Sequence, residues 1–540
     1  MDSTAASAMA SALSKASAAP PDVRLAYGTA GFRGEASLLP AATARCGALA
    51  ALRSREKRGA ATGIMVTASH NPVQDNGVKL ADPSGAMMAA AWEPLAAQLA
   101  NARGDAALAE ALQAVPWEGA ATAAPRVFVG RDTRPSSEGL TAGAVRGAIA
   151  AGCAEPTDVG VVTTPQLHWV VREHNAGREA TEEAYYAALA GAFSRSLGGR
   201  GDGGAGGVAA QALLVDAANG VGAQALVRLA ERLGGALTLE VRNAGSGVLN
   251  LRCGADLVQK ERVWPENFSA ADAGRVVASV DGDADRLVFL YAASPSDAPA
   301  LLDGDKIAAL SARHLGGLLR AALGDQPSAT VGVVQTAYAN GASTRYIKDN
   351  LGVTVAVAKT GVKHLHPAAE EFDVGIYFEA NGHGTVLFSD KVLGQLAEAA
   401  KGEGDAAAAA GRMLAFADMI NQAVGDALSG ILMVEAMLRL EGMRMSDWVA
   451  FYTDLPSRQL KVTVRDKGEI KTERAETLCV APAALQPKID AAVAKYASGR
   501  SFVRPSGTED IVRVYAEAAT QADADALADE VAAAVRETCA

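Results

Sequence analysis

The sequence has 540 residues, which is too long for one hydrophobic core and suggests roughly three or four domains of about 150 residues each. Hydrophobic residues make up 49% and charged residues 21%, which excludes a chain that is disordered throughout. The formal net charge of −11 argues against a general nucleic-acid binder, and no apolar run of about 18 residues is present to span a membrane. Five scattered cysteines without a CxxC pair predict a reduced compartment, and we expect a cytoplasmic protein.

The chain begins with an Ala/Ser-rich segment that lacks the basic and apolar blocks of a secretory signal. We expect residues 1–20 to form a disordered tail. Strand-like and helix-like segments then alternate: "RVFVGRDT" is a predicted strand, "SEGLTAGAVRGAIAAG" a predicted helix, and "DVGVVTTP" the next strand. The same alternation recurs twice further along the chain, and it predicts mixed α/β domains with largely parallel sheets.

Three breaks divide the chain: a Gly-rich segment near 196–208, a Pro/Asp-rich segment near 291–305, and a change of pattern near 445–455. The last part is predicted to be a smaller α+β domain, because "RQLKVTVRD" alternates like a half-exposed strand. The pattern Gly201-x-Gly203-x-x-Gly206 matches a dinucleotide fingerprint, but it precedes a strand, so we interpret it as a linker. The predicted domains are domain 1 at 21–195, domain 2 at 196–298, domain 3 at 299–445 and domain 4 at 446–540.

The segment "TASHNP" ends a predicted strand in a small-residue turn that presents Ser69 beside His70. Asn and Pro favour turns for backbone reasons alone, so a plain turn is one interpretation. A serine nucleophile is the other interpretation. The remaining motifs have to decide between them.

The segment "SVDGDADRLVFLY" places Asp281, Asp283 and Asp285 on one side of an extended chain, where their mutual repulsion calls for a cation. Three hard oxygen donors suit Mg²⁺. An EF-hand is excluded, because its sixth position would be Arg286 where glycine is needed, and its twelfth Ala292 where glutamate is needed. Apolar residues on both sides place the aspartates at the end of a buried strand, where open α/β sheets bind ligands.

Two further turns carry binding chemistry. In "RPSGTEDIVRVYAE", Arg504, Ser506, Gly507 and Thr508 offer the donors and the close backbone approach that hold a phosphate, and Arg513 adds charge. In "VGIYFEANGHGTVLFS" a strand ends at Glu379, and either a sugar-binding turn or an ordinary hairpin follows. The polar side chains of that turn, and of the turns that add basic groups after other strands, are Asn381, His383, Arg33, Arg131, Arg134, Lys359, Thr360, Lys363 and His364.

The four motifs together favour phosphoryl transfer, because Mg²⁺ beside a serine neutralises charge on a phosphoryl group. A hydrolytic Ser-His-Asp enzyme would not need three aspartates. The tripeptide Lys359-Thr360-Gly361 also occurs in penicillin-interacting serine enzymes, but their SDN element is missing here, and we discard that interpretation.

The motifs "TASHNP", "DGDADR", "FEANGHG" and "RPSGTED", in this order, resemble the α-D-phosphohexomutase superfamily over nearly the whole chain. Phosphoglucomutases and phosphomannomutases usually carry serine where this chain has Asn381, so the resemblance is to the branch that acts on N-acetylhexosamine phosphates. It implies three α/β domains of related topology and a smaller, mobile C-terminal domain around a central cleft.

The resemblance also implies a reaction: the reversible conversion of N-acetylglucosamine 6-phosphate to the 1-phosphate through a phosphoserine and a 1,6-bisphosphate, which also serves as activator. The product feeds UDP-N-acetylglucosamine synthesis. One Mg²⁺ and a sugar phosphate are the implied partners, without nucleic acid, membrane or obligate protein. The implied site residues are Ser69, Asp281, Asp283 and Asp285 for the metal, and Arg33, Arg286, Thr360, Gly361, Glu379, Asn381, His383, Arg504, Ser506, Gly507, Thr508 and Arg513 for the substrate.

Several alternatives stay open at this point. A sugar hydroxyl needs a base, and His70, Lys79 and His383 are candidates by their position in the motifs, with His70 or Lys79 preferred for one direction. The substrate is alternatively an unmodified glucose or mannose phosphate. A phosphatase and a binding protein without turnover are the remaining readings, although the nucleophile and all three metal carboxylates are present.

Overall fold

The computed structural model describes residues 3–17, 19–28, 30–116, 123–198, 212–324, 329–506 and 510–539. These residues form three mixed α/β domains and a smaller C-terminal α+β domain, each with its own main sheet, which confirms the predicted fold class. The Gly201, Gly203 and Gly206 pattern lies outside the described residues. Within them, no helix combines the length and the apolar character needed to cross a membrane.

The first domain contains five strands: β1 (Phe32–Glu35), β2 (Thr62–Val66), β3 (Asp75–Ala81), β4 (Val127–Arg131) and β5 (Thr157–Val161). Their order in the sheet is β1-β3-β2-β4-β5; β2, β4 and β5 are parallel, and β3 is antiparallel to both neighbours. Strand β2 is buried at every position, as expected for a strand covered on both faces. The helices are α1 (Ser3–Ala16), α2 (Pro40–Glu56), α3 (Glu93–Asn101), α4 (Gly104–Gln113), α5 (Ser137–Ala150), α6 (Thr164–Asn175) and α7 (Glu182–Ser196).

The second domain contains β6 (Leu213–Asp216), β7 (Leu239–Arg242), β8 (Val277–Val280), β9 (Leu287–Tyr291) and β10 (Ala300–Leu302), in the sheet order β10-β9-β8-β6-β7. Its helices are α8 (Gly222–Leu233) and α9 (Ala255–Glu261).

The third domain contains β11 (Val331–Thr336), β12 (Thr354–Ala358), β13 (Val374–Phe378) and β14 (Gly384–Phe388), in the sheet order β12-β11-β13-β14. Its helices are α10 (Gly304–Leu323), α11 (Gly341–Arg345) with a π-helical continuation (Tyr346–Asn350), α12 (Val362–Ala369), α13 (Asp390–Ala399), α14 (Gly404–Met419), α15 (Ala427–Glu441) and α16 (Met445–Val449).

The three sheets share one arrangement. The order β9-β8-β6-β7 in domain 2 equals β14-β13-β11-β12 in domain 3, with one antiparallel pair followed by two parallel neighbours. Domain 1 has the same order as β3-β2-β4-β5, but its antiparallel pair comes first in the chain. The sheets are therefore mixed where largely parallel sheets were expected, because each contains a hairpin-like pair.

The fourth domain has an antiparallel sheet in the order β15-β19-β18 and a separate two-stranded hairpin. Its apolar core is distinct from the core that the other domains share, in which Tyr185, Leu226 and Phe416 of domains 1, 2 and 3 belong to one cluster. The elements are β15 (Ser457–Thr463), β16 (Lys471–Glu473), β17 (Leu478–Ala481), α17 (Leu485–Val493), β18 (Arg500–Pro505), β19 (Ile511–Glu517) and α18 (Gln521–Cys539). Short 3-10 turns lie at Ala36–Leu38, Ala90–Trp92, Ala270–Asp272 and Lys467–Glu469.

The N-terminal segment differs from the sequence-based expectation. Residues 1–20 were predicted to be a disordered tail, but helix α1 packs on α4 and α5. Ala6, Ala10 and Leu13 are buried in the core of domain 1, because their spacing puts them on one helix face. The prediction missed this helix because an Ala/Ser-rich composition resembles a flexible tail.

Each motif occupies the loop between two antiparallel strands. The loop with Ser69 joins β2 to β3, and the loop of the three aspartates joins β8 to β9. The Glu379 loop joins β13 to β14, and Ser506 begins the connection from β18 to β19. The motif loops of the three α/β domains are therefore equivalent connections, and the domain 4 motif also follows a strand with an antiparallel neighbour.

Candidate active site

The Ser69 loop leaves β2 and turns sharply. Ser69 has a left-handed backbone with φ of 52°, which is uncommon for a residue other than glycine. Its side chain is buried, and its Oγ donates a hydrogen bond to Asp281 Oδ2 at 2.5 Å. His70 Nδ1 lies 3.4 Å from the same Oγ. The turn therefore places one hydroxyl between an imidazole and a carboxylate from another domain.

Arg134 holds this loop from within domain 1. Its guanidinium donates to the carbonyl oxygen of Ser69 at 2.9 Å, and Asp132 fixes it through an ion pair of 2.9 Å. The other carbonyl oxygens that Arg134 contacts are those of Asn71, Pro72 and Asp75. The sequence predicted Arg134 only as a basic group after a strand. In the structure its hydrogen bonds stabilise the Ser69 loop. Arg131, from the same motif, pairs instead with Asp158 away from the site.

Asn250 holds the same loop from domain 2. Its Nδ2 donates to the carbonyl oxygens of Ser69 at 2.8 Å and Asn71 at 3.1 Å. A Cβ at Gly282 would lie 2.5 Å from the Ser69 carbonyl oxygen, so only glycine fits there. The sequence analysis missed Asn250, because its loop between β7 and α9 carries no recognisable motif.

The three aspartates form a compact group. Asp281, Asp283 and Asp285 are all buried, and one carboxylate oxygen from each lies within 4.8 Å of the others. Lys79 Nζ, on β3, lies 3.0 Å from Asp283 Oδ2 and 3.1 Å from Asp285 Oδ2. Thr164, at the start of α6, donates to Asp283 at 2.6 Å. Domains 1 and 2 therefore meet at this carboxylate group.

The donor set fits a hard divalent cation. Asp283 Oδ1 and Asp285 Oδ1 are buried and have no hydrogen-bond partner in the described part of the chain. Buried carboxylate oxygens are costly without a partner. Together with the adjacent Ser69 Oγ they supply the oxygen ligands that Mg²⁺ prefers.

The charges in this group perturb one another. Burial and the carboxylates of Asp285 and Asp283 raise the pKa of Asp281 well above its usual range. Burial alone would raise the pKa of Asp285, but the Lys79 ammonium holds it well below its usual range. Burial opposes the charge of Lys79 as well, yet Asp283 and Asp285 raise its pKa, so Lys79 is a cation.

The two histidines of the site differ. Burial, together with the nearby Arg286 and Arg33 cations, lowers the pKa of His70 to about 4, so its imidazole is neutral near pH 7. Burial would also lower the pKa of His383, but Asp285 raises it. His70 is therefore a neutral imidazole beside the Ser69 hydroxyl, whereas His383 contacts the aspartate loop.

The predicted sugar turn docks on the aspartate loop. His383 Nδ1 lies 2.8 Å from the carbonyl oxygen of Asp285, and its backbone N–H donates to Asn381 Oδ1 at 2.9 Å. Gly382 has a φ of 83°, and a Cβ there would lie 2.0 Å from the Leu287 carbonyl oxygen. The Glu379 carboxylate makes no hydrogen bond with any described residue.

Arg33 and Arg286 add positive charge beside the carboxylates. Arg33, on β1, donates to Asn71 at 3.3 Å, and burial lowers its pKa. The Nε atom of Arg286 lies 3.8 Å from Asp281 and 3.9 Å from Asp285. Both predicted substrate contacts therefore border the Ser69 and aspartate loops.

The remaining predicted contacts come from domains 3 and 4. Thr360 precedes Gly361, whose φ is 112°, and Lys363 of the same turn pairs with Glu93 of domain 1 at 3.0 Å. The backbone N–H and the hydroxyl of Thr360, and the Nε of Arg504, all donate to Glu476. Glu476 was not predicted from the sequence. Gly507 and Thr508 lie outside the described residues.

Comparison with known families gives four matches in chain order. Domain I of the phosphoglucomutase/phosphomannomutase family matches residues 48–105 and 102–181, and its C-terminal domain matches residues 460–534. Domains II and III of phosphoacetylglucosamine mutase AMG1 match residues 175–288 and 303–443. The predicted limits of the domains stay predictions.

Individual relatives cover nearly the whole chain. A phosphoacetylglucosamine mutase from Arabidopsis thaliana is 48% identical, with 96% of each chain covered. The crystal structure of Aspergillus fumigatus N-acetylphosphoglucosamine mutase with GlcNAc-6P and magnesium is 43% identical, with a TM-score of 0.91 and 99% of each chain covered. A variant of that Aspergillus protein, in complex with glucose 1,6-bisphosphate, has a TM-score of 0.88 at 43% identity and covers 98% of this chain and 99% of its own.

The fold and the junction of the Ser69, aspartate and Glu379 loops define a phosphohexomutase, as the motifs predicted. Within that class the relatives agree on one branch. The chain belongs to the phosphoacetylglucosamine mutase family, and the expectation that it is an enzyme is confirmed.

Proposed function

We propose that this enzyme interconverts N-acetylglucosamine 6-phosphate and N-acetylglucosamine 1-phosphate, with Ser69 as the carrier of the phosphoryl group. The observation that supports this best is the Ser69 hydroxyl, buried and hydrogen-bonded to Asp281 at 2.5 Å within the group of three aspartates. A product activated at O1 is the form that nucleotide transfer consumes, so the reaction would feed UDP-N-acetylglucosamine synthesis in the cytoplasm.

The proposed cycle begins with Ser69 as its phosphate ester. A sugar hydroxyl attacks phosphorus, the new O–P bond forms, and the P–Oγ bond to Ser69 breaks. The hydroxyl proton passes to His70, whose neutral imidazole lies beside Ser69, and the departing Ser69 oxygen takes up that proton from His70, which restores the serine hydroxyl. The resulting 1,6-bisphosphate then reorients within the site. Its other phosphoryl group is transferred back to Ser69 by the reverse of the first step. A trace of this bisphosphate would therefore activate an unphosphorylated enzyme.

Asp281, Asp283, Asp285 and an oxygen of Ser69 or its phosphate would hold one Mg²⁺ per chain. The ion would neutralise charge that develops on the phosphoryl group. Lys79 is then a fixed cation that holds Asp283 and Asp285 in place, and not a base. Of the two preferred candidates for proton transfer, the geometry and charge favour His70.

The sugar and the second phosphate would bind on domains 3 and 4. Glu379 and Asn381 are proposed to grip sugar hydroxyls, and Asn381 to favour the N-acetylated substrate. Donors from Arg504, Ser506, Gly507, Thr508 and Arg513 are proposed to hold the phosphate that does not react. The alternative is activity on unmodified hexose phosphates. The observation that favours this alternative is the complex of the Aspergillus variant with glucose 1,6-bisphosphate.

The test is to incubate the enzyme with a sugar 1,6-bisphosphate and Mg²⁺ and to measure the intact mass and the modified peptide. We expect a gain of one phosphoryl group on Ser69. The variant Ser69→Ala should gain none and should lose mutase turnover. Ser84→Ala, which changes an exposed serine of the loop after β3, should behave like the unmodified enzyme.

Phosphorylation at another residue, or full turnover by Ser69→Ala, would contradict the assignment of Ser69. Inorganic phosphate released in step with substrate loss would instead identify a phosphatase.

A further inference from the structure

One face of the domain 4 sheet carries a row of cations. In the strand register Arg504 on β18 lies opposite Arg513 on β19, and Arg513 lies opposite Lys461 on β15. Residues directly opposite on antiparallel strands point to the same face, and like charges there are destabilising. An anion between them removes that repulsion, so the row is built to receive one.

The rest of this face docks on domain 3. Phe502 and Tyr515 pack against Tyr338, with ring centroids 5.1 and 5.7 Å from it. Arg500 donates to carbonyl oxygens of domain 3, and the N–H of Gly341 donates to Glu517. Beyond this contact, Arg504 lies near the turn of domain 3 that contains Thr360, because both residues donate to Glu476.

Glu476 is the only described carboxylate that pairs with this row. It lies in the turn between β16 and β17, with 13% of its side chain exposed. Its Oε1 accepts from Arg504 Nε at 2.8 Å. Its Oε2 accepts from the Thr360 N–H at 3.1 Å and the Thr360 hydroxyl at 2.9 Å.

These donors are the kind that hold a phosphate. A guanidinium, a backbone N–H beside a glycine, and a hydroxyl converge on two carboxylate oxygens, as they would converge on phosphate oxygens. Gly361, next to Thr360, keeps its backbone open to close approach. The carboxylate therefore occupies donors from two domains that a substrate phosphate would also use.

We propose that Glu476 is a built-in placeholder for the substrate phosphate: it ties domain 4 to domain 3 in the free enzyme and leaves when the phosphate arrives. This inference rests on the proposed function, because it concerns how that substrate binds. The phosphate, with more negative charge than one carboxylate, takes over the donors of Arg504 and Thr360. Phosphate binding then exchanges the Glu476 bridge between domains 3 and 4 for a phosphate bridge between the same donors.

A consequence follows for affinity. Displacing Glu476 opposes ligand binding, so removing its charge should tighten binding. If Glu476 only oriented Arg504, removing its charge would weaken phosphate binding, because Arg504 would no longer be held in position.

The experiment measures binding of inorganic phosphate and of N-acetylglucosamine 6-phosphate by calorimetry, in a Ser69→Ala background that prevents turnover. We expect Glu476→Gln to lower both dissociation constants by at least about threefold, as for loss of a partly exposed ion pair. In the Ser69-containing enzyme the same substitution should lower KM. The matched control is Glu473→Gln, which removes one charge from an exposed position of the same hairpin and should change neither constant.

A second variant, Glu476→Asp, keeps the charge but is one methylene too short to bridge Arg504 and Thr360, and it should shift both constants in the same direction. Unchanged or weaker phosphate binding by both variants would overturn the placeholder. Inorganic phosphate binding does not depend on turnover or on the acetyl group. If the chain were inactive as a mutase, the proposed function would be wrong, but the binding of inorganic phosphate would still test the role of Glu476.

Discussion

At the scale of single residues, the backbone of Ser69 is held in place from two domains. Its carbonyl oxygen accepts from Arg134 in domain 1 and from Asn250 in domain 2, and these contacts support a left-handed residue that would otherwise relax. The position of the hydroxyl over Asp281 therefore depends on how the two domains pack. This gives Asn250 a role that no motif announces.

Replacing Asn250 with alanine should lower kcat by about tenfold to a hundredfold, because small displacements of a reacting group cost that much. KM for the sugar phosphate should change little, since Asn250 contacts the serine loop and not the proposed substrate residues. The measurement is steady-state kinetics with a saturating bisphosphate activator. Asn350→Ala, at an exposed position, is the control. An unchanged kcat would show that Arg134 alone holds the loop.

We predict that the choice of substrate depends on Asn381. Asn381→Ser should raise the ratio of kcat/KM for glucose 6-phosphate over N-acetylglucosamine 6-phosphate, by about tenfold if one hydrogen-bonding group decides the preference. The two substrates are compared in parallel assays with Asn350→Ser as the control. A ratio equal to that of the unmodified enzyme would remove Asn381 as the determinant.

The sequence alone was sufficient to single out Ser69, the three aspartates, Glu379 and Arg504 as candidates, because each stands at a strand end or in a short turn of unusual composition; their roles stay predictions. It did not reveal Asn250, Thr164 or Glu476. Their roles exist only where loops distant in the chain meet, and each sits in a segment that is ordinary in itself. Arg131 is the opposite case. The sequence suggested a basic group near the site, but Arg131 pairs with Asp158 on the surface.

At the scale of elements, hairpin-like pairs place the site. In the three α/β sheets the strand that carries a motif loop pairs in parallel with one neighbour and antiparallel with the other. The alternation of strands and helices was predictable from apolar periodicity. The antiparallel partners were not, because strand direction depends on a loop being short enough to return directly.

Helix α1 offers a test of the element that the sequence analysis misjudged. Ala10→Asp should destabilise domain 1 by about 3 kcal/mol, because it puts a charge on the buried face of α1. The measurement is the free energy of unfolding in urea. Ala8→Asp adds the same charge to the exposed face of α1 and should change stability by no more than about 0.5 kcal/mol. Equal effects of the two substitutions would mean that α1 is not docked in solution.

At the scale of the whole molecule, the domains divide into two groups. One apolar cluster joins residues of domains 1, 2 and 3, whereas the domain 4 core is a separate cluster, and domain 4 meets domain 3 through aromatic rings, ion pairs and the Glu476 bridge. Such an arrangement suits a rigid body that would bind the metal and the sugar, and a smaller domain that would close on the phosphate. Closure remains a prediction, to which the placeholder adds a specific contact.

The measurement that tests the central claim most directly is a ³¹P NMR time course with Mg²⁺. N-acetylglucosamine 6-phosphate and glucose 6-phosphate are supplied in parallel, each with a trace of the matching 1,6-bisphosphate. We predict rapid appearance of the 1-phosphate of the acetylated sugar, much slower conversion of the glucose compound, and no inorganic phosphate. Faster conversion of glucose 6-phosphate would retain the Ser69 chemistry and contradict the substrate assignment, and accumulation of inorganic phosphate would contradict the mutase itself.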